Sequence, residues 1–277
     1  MGAVPPRVSV VVPAINEAAF LPHCLDALSR QDYGGGYEVI VVDNNSTDAT
    51  ASIARDWGAT VVSEKNPGVC WARQAGTDTA RGEIICSTDA DTTVGPEWVS
   101  RIVATFDANP KCVSVAGPCQ YNGGPWWGKA YPKVLFGFVF AIFRLTGHVF
   151  YVTATNLAFR KSAFTGYDTT LTQGGDEVDL LRKFRRNGKI LFLLDNPCTT
   201  SARRINRGLV YNLFVTFGYF YLLGYWVNHL TGRRIIGTAP AFRTEERPRR
   251  ARVIGTLRTG AVGLALVLVV GLLVHVS

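Results

Sequence analysis

Several things are scarce or missing in this sequence, and each absence removes a class of protein. The six cysteines (Cys24, Cys70, Cys86, Cys112, Cys119 and Cys198) contain no Cys-x-x-Cys pair, and several sit inside apolar runs. They read as small reduced core thiols, as expected of a cytosolic domain. His23, His148 and His229 have no partners at metal-ligand spacing, so each reads as structural. No Gly-x-Gly-x-x-Gly follows the first apolar run, which argues against a dinucleotide-dependent oxidoreductase. There is no internal repeat and no low-complexity linker. The start, Met1 to Arg7, leads straight into a five-residue apolar run too short for a signal-peptide core, so no leader is expected. Acidic residues number 21 against 29 basic ones, a formal charge of +8, but the excess is local: eleven arginines lie between Arg203 and Arg258. A basic excess confined to the last third points to a membrane surface rather than to nucleic acid.

What is present begins with alternation. Short β-branched runs at residues 8–12, 37–42, 59–62 and 83–86 are near-continuously apolar, as strands buried on both faces of a parallel sheet must be. Between them lie helical periods: Phe20, Leu21, Cys24, Leu25 and Leu28 share one face, as do Trp98, Val99, Ile102, Val103 and Phe106 after Pro96 at a first helical position. Ser46 is the expected N-cap of a helix after the turn Asp43 to Asp48. Further on, residues 113–121, 153–159 and 190–194 read as strands. Residues 176–187 read as a helix closed by Gly188, and residues 131–143 as an aromatic stretch to be buried or laid against lipid. The class is α/β, a Rossmann-like, mostly parallel sheet flanked by helices.

The strand at 83–88 ends in Asp89-Ala90-Asp91. A strand exit of this kind points both carboxylates to the carboxyl edge of the sheet, where open α/β folds place ligands. Oxygen-only ligation suits Mg²⁺ or Mn²⁺, which share their coordination shell with substrate phosphates.

Five segments then fall in order: Val12-Pro13-Ala14-Ile15-Asn16-Glu17, Val41-Val42-Asp43-Asn44-Asn45-Ser46-Thr47-Asp48, Ala72-Arg73-Gln74-Ala75-Gly76, Asp89-Ala90-Asp91 and Gly175-Asp176-Glu177-Val178-Asp179-Leu180. Together they resemble the motifs of family 2 inverting glycosyltransferases of the GT-A fold, over about residues 7 to 200. The resemblance implies a nucleotide-sugar donor lined by Pro13, Glu17, Asp43 and Arg73. It makes Asp91 the direct metal ligand on the diphosphate, and gives Asp89 to the ribose or to the metal's water shell. The general base that takes the acceptor proton maps onto Glu177, with Asp176 as the fallback. Ser201-Ala202-Arg203-Arg204 falls where related members contact the diphosphate, so Arg204 is a candidate donor contact. Asn156 falls in a segment used around the acceptor.

The rest of the chain points to lipid. Residues 260–276 carry no Asp, Glu, Lys or Arg and read as a short membrane span, and six arginines between Arg243 and Arg258 precede it. Positive-inside logic keeps the N-terminal domain on the cytoplasmic face. Residues 209–227, uncharged and aromatic, read as a helix at the interface, with a membrane hairpin as the alternative. The expected organisation is a GT-A domain over 1–202, a basic and aromatic interface region over 203–258 and a transmembrane helix over 259–277. The expected activity is sugar transfer to a membrane-proximal, lipid-linked acceptor. Two alternatives stand beside it, a polyprenyl-phosphate glycosyltransferase and a non-catalytic nucleotide-sugar-binding scaffold.

Overall fold

The first strand, β1 (Val8–Ala14), is buried along its whole length, and its side chains alternate between two cores. Val8, Val10 and Val12 face one core while Val11 faces the other, the period of two that a pleated strand imposes. A computed structural model describes residues 5–169, 171, 175–231 and 235–236.

On one side of β1 lie, in parallel, β2 (Tyr37–Asp43) and then β3 (Thr60–Ser63). On the other lies β4 (Ile84–Ser87), also parallel. Next come β8 (Leu157–Arg160), β6 (Cys112–Ala116) and β9 (Lys189–Phe192), giving the order β3-β2-β1-β4-β8-β6-β9. Strand β8 is antiparallel to both neighbours, so the sheet is mixed but mostly parallel, as expected.

Helices α1 (Leu21–Ser29) and α4 (Trp98–Ala108) cover one face through Leu21, Leu25, Leu28, Trp98, Ile102 and Phe106. The other face takes α3 (Val69–Thr79) and α6 (Gly175–Asn187), the latter through Leu180, Leu181 and Phe184. In α3, Gly76 lies so close to the sheet that a Cβ there would sit 2.4 Å from Val11 Cγ1 and 2.9 Å from Val42 Cγ2. Gly76→Ala is therefore expected to destabilise the protein by about 1–3 kcal/mol through overpacking, read as a lower urea midpoint.

Some local expectations are corrected. Residues 113–121 are not one strand: β6 stops at Ala116, and β7 (Cys119–Asn122) belongs to a second sheet of order β5-β10-β7, with β5 (Thr92–Val94) and β10 (Cys198–Ser201). Gly117-Pro118 breaks the ladder between them. Residues 153–159 open with a 3₁₀ turn (Ala154–Asn156) before β8. Pro96 precedes α4 rather than starting it. The orphan amide of Val99 instead donates to Gln31 Oε1 at 3.0 Å. Ser46 is not the cap of α2 (Thr50–Trp57). Its hydroxyl accepts from Asn16 N, and Asp48 Oδ1 receives the Thr50 amide at 3.0 Å. All six cysteines are buried free thiols.

The aromatic stretch lies within one long helix, α5 (Trp126–Thr146), which packs on β7 and turns Phe136 against Phe192.

By its internal contacts the chain divides into two units, Met1–Thr169 with Asp176–Ser201, and Thr170–Gly175 with Ala202–Ser277. In the second, Tyr211–Leu223 forms wide π-helical turns that run into α7 (Gly224–Thr231). Asn228 closes this unit locally: it accepts the amides of Ile235 and Ile236 and donates to Ile236 O. Among the described residues no helix is long and apolar enough to cross a membrane. The span read at 259–277 and the arginines from 243 to 258 lie outside the described residues.

Candidate active site at the carboxyl ends of the strands

The sheet register puts the motif carboxylates on one rim. Asp43 pairs with Ala14 at the end of β1, and Val11 pairs with Ser87, so the chain leaving β4 reaches Asp89 beside the same edge. Asp43 and Asp89 are separated by β1 alone, two strand spacings or about 10 Å.

The loops after β1 and β2 are laced together by their own motif residues. Asn16, at φ +53°, receives the Thr47 amide on Oδ1 at 2.6 Å and donates its own amide to Ser46 Oγ at 2.9 Å. Thr50 Oγ1 and Asp48 Oδ2 accept the amides of Glu17 and Ala18. Asn44 is buried and binds Glu64 O, Asn66 O and the Gly68 amide. Much of the two polar motifs therefore builds the rim. Within it, Asp43 Oδ1 accepts the Ser46 amide at 3.1 Å, and the half-buried carboxylate stays at the edge. Pro13 is buried in β1 opposite Val42, and half-buried Glu17 follows in the loop.

Arg73 on α3 does not lie on a solvated helix face. It is 4% exposed and joins two carboxylates: Nη2 donates to Asp89 Oδ1 at 3.0 Å, and Nη1 to Asp176 Oδ2 at 2.6 Å. Burial works against its charge, but Asp89 and Asp176 outweigh it and hold the guanidinium more firmly protonated than usual. Asp176, at the start of α6, is 1% exposed. Next to it, Glu177 keeps Oε2 withdrawn from solvent. Burial first, then the Asp176 charge and a hydrogen bond to it, push the Glu177 carboxyl well above the ordinary range, with Arg73 pulling the other way. One connected chain of charges thus runs from the exit of β4 to the first turn of α6.

Three hydroxyls complete the arrangement. Thr155 Oγ1 donates to Asp89 Oδ2 at 2.6 Å, while Thr200 and Ser201 of β10 donate to the two oxygens of Asp91 at 3.1 and 2.6 Å. Ser201 precedes Arg203-Arg204 in the segment read for a diphosphate contact, and Thr200 carries no motif signal. Their role follows from β10 pairing with β5, a contact 106 residues apart that sequence spacing does not reveal. Asn156 is a core residue rather than an acceptor contact. It is buried, accepts from Trp98 Nε1 at 2.8 Å and donates to Pro118 O and Asn196 O. Asp179 pairs with Arg182 and Lys183 on its own helix. Arg204 lies in the second unit, just before the 3₁₀ turn Ile205–Arg207, with Asn212 bonded to its carbonyl. An open cleft of about 510 Å³ between α4, α5 and β9 shares no residue with the rim.

Among the described residues no three His, Cys, Asp or Glu side chains cluster as a self-sufficient metal site. The donor set at the exit of β4 is instead two half-exposed carboxylates two residues apart. Such a pair fits a hard divalent cation that takes its other ligands from phosphate oxygens and water.

The geometry agrees with what the chain is similar to. The description "Glycosyl transferase family 2" matches residues 9–167, more than half of the chain and all the strands of the rim up to β8. Glycosyltransferase AglE of Haloferax volcanii is 35% identical over 108 residues, which cover 36% of each chain. The glucosyl-dolichyl phosphate glucuronosyltransferase of the same species is 26% identical over 185 residues, 62% of this chain and 59% of that one. The chain thus spans between about a third and three fifths of these relatives. Among solved structures, the mannosyltransferase PcManGT from Pyrobaculum calidifontis, in complex with GDP-Man and Mn²⁺, superposes with a TM-score of 0.63 at 22% identity, covering 95% of this chain and 75% of that one. With the family match lying over the strand ends that gather Asp43, Asp89 and Asp91, this chain belongs to glycosyl transferase family 2, on an α/β fold of the GT-A kind.

Proposed function

We propose that the protein transfers a sugar, with inversion, from a nucleotide-diphosphate sugar to a hydroxyl of a lipid-linked acceptor at the cytoplasmic face of a membrane. One observation carries this reading: Arg73 ties a strand-end carboxylate suited to the donor, Asp89, to the acidic pair Asp176-Glu177 suited to the acceptor. The name of the Haloferax relative, which acts on a glucosyl-dolichyl phosphate, supports the acceptor class.

Asp43 would receive the nucleoside end and Asp89-Asp91 the pyrophosphate end, with Asp91 and Asp89 holding Mg²⁺ or Mn²⁺. When bound, the cation supplies positive charge to the leaving diphosphate. The acceptor oxygen attacks the anomeric carbon as the bond to the phosphate oxygen breaks, and the acceptor proton passes to Glu177. Asp176 is not available for that proton, because its carboxylate is held by Arg73 inside the protein. Its charge has a different effect, raising the proton affinity of Glu177, and an elevated carboxyl is the better matched base near neutral pH.

Glu177→Gln is expected to lower turnover about 10²–10⁴-fold while leaving donor binding intact. It is also expected to raise stability at neutral pH, and the sign follows from linkage. A carboxyl whose folded value is elevated keeps a proton that the unfolded chain has lost. Folding stability therefore falls as pH rises from the ordinary glutamate range to the elevated folded value, and glutamine removes that loss. Transfer assays and melting curves between pH 4 and 8 check both halves. Unchanged turnover in both Glu177→Gln and Asp176→Asn would replace the hydroxyl acceptor by a polyprenyl phosphate, which is already anionic and needs no base.

A further inference from the structure

Helix α5 is apolar on two faces, and among the described residues only one of them has a partner. Gly128, Pro132, Phe136 and Val139 are buried against the core. On another face, Tyr131, Val134, Phe138, Ala141 and Leu145 recur at intervals of three and four and are exposed, Val134 by 72% and Leu145 by 85%. Trp126, at the start of the helix, is 82% exposed. Phe150, just past the helix end, stands edge-on to Phe138 at 5.9 Å and widens the patch. A contiguous apolar surface of this kind marks a contact with something other than water.

Charge says what that something is. Lys129, Lys133 and Arg144 are exposed on the same helix, and the sequence from residue 108 to residue 167 contains no Asp or Glu. An apolar stripe on a helix whose own charges are all cationic is complementary to a surface that is apolar inside and negative outside, which is an anionic lipid interface. A protein partner with both features would itself have to expose lipid-like chemistry.

We infer that α5 lies in the interface of an anionic bilayer, with Tyr131, Val134, Phe138 and Leu145 toward the acyl chains and Lys129, Lys133 and Arg144 at the phosphates. The reading deepens the proposed function by assigning the surface that brings the same site to a lipid-linked acceptor. The link to that site is direct: α5 packs on β7, β7 pairs with β10, and β10 supplies Thr200 and Ser201 to Asp91. A helix docked in this way would fix the Asp91 rim at a set distance from the lipid surface.

The test uses the full chain carrying a nitroxide at Val134→Cys, Phe138→Cys or Leu145→Cys, with Asp56→Cys on the exposed side of α2 as reference. The native thiols are buried. With vesicles of equal phosphatidylglycerol and phosphatidylcholine, the α5 labels are expected to gain collisions with oxygen and lose them with a water-soluble nickel chelate, while the reference does not change. Lys129→Gln with Lys133→Gln is expected to lower the immersed-to-aqueous ratio of the label roughly thirtyfold, about fivefold per lysine. Labels that remain as aqueous as the reference on vesicle-bound protein would overturn the inference. So would equal immersion in pure phosphatidylcholine, or shielding that grows with protein concentration without lipid, the mark of a second copy. Thermal shift with nucleotide sugars keeps the two readings apart. The lysine changes are expected to leave that shift intact, and its absence in the unaltered protein would sink the catalytic reading without touching this one.

Discussion

Asp91→Ala is expected to lower transfer at least a thousandfold while the catalytic unit still folds. The magnitude follows from what the residue is placed to do. A cation held against a leaving diphosphate contributes several kcal/mol to the transition state, and a thousandfold corresponds to about 4 kcal/mol. The selectivity follows from where it sits. Asp91 is half-exposed at the loop after β4, and its two oxygens accept from the Thr200 and Ser201 hydroxyls, which can turn to water once it is gone. Those two ordinary hydrogen bonds account for about 1–3 kcal/mol of stability. The measurements are initial rates with and without EDTA, beside a melting curve in nucleotide sugar and Mn²⁺. The unaltered protein should lose activity in EDTA and gain stability from donor plus metal, and the variant should do neither. Full activity of Asp91→Ala in EDTA would end the metal-assisted reading.

The carboxylate rim was legible in the sequence because the motifs carrying Glu17, Asp43 and Asp89-Asp91 fall at the ends of strands, and strand ends of a parallel sheet share an edge. The parallel run β3-β2-β1-β4 could be read from β-branched stretches because a strand buried on both faces has nowhere to place polar residues. The polar loop residues were harder. Asn16, Asn44 and Asp48 have the same chemistry whether they bind a nucleotide or a neighbouring loop, and the structure spends them on backbone amides and carbonyls. Asn156 misled in the same way, since a buried asparagine with all its bonds made inside the core looks, in a string of letters, like one waiting for a substrate. The second sheet was invisible because β5, β7 and β10 are short and pair across about a hundred residues. With them went the reason Thr200 and Ser201 matter. Helix α5 was read only as an aromatic stretch to be buried or laid against lipid. Which residues do which depends on a packing direction that composition alone does not supply.

Arg73→Met is expected to destabilise the catalytic unit by about 3–5 kcal/mol, a fall in melting temperature of roughly 10 °C. The loss is dominated by one partner. Asp89 keeps its bond to Thr155 and has about a third of its side chain in water, so it can be solvated when the guanidinium leaves. Asp176 cannot, since its side chain is wholly enclosed and Arg73 is the ion-pair partner it faces at 2.6 Å. Stripping the cation leaves a buried negative charge beside Glu177, the arrangement that costs most in a protein interior. Two consequences separate this account from simple loss of packing. Because the enclosed Asp176 carboxylate would then carry its charge without the guanidinium, the variant should recover stability relative to the unaltered protein as pH falls and that carboxylate takes up a proton, starting at a higher pH than loss of an exposed surface pair would. Adding Asp176→Asn should restore part of the loss at neutral pH, since the amide carries no charge to bury, so the double variant should melt above the single one. If Arg73→Met melts with the unaltered protein, or the second substitution lowers stability further, the guanidinium is not what balances Asp176. The charge link from the β4 exit to α6 would then carry no structural weight.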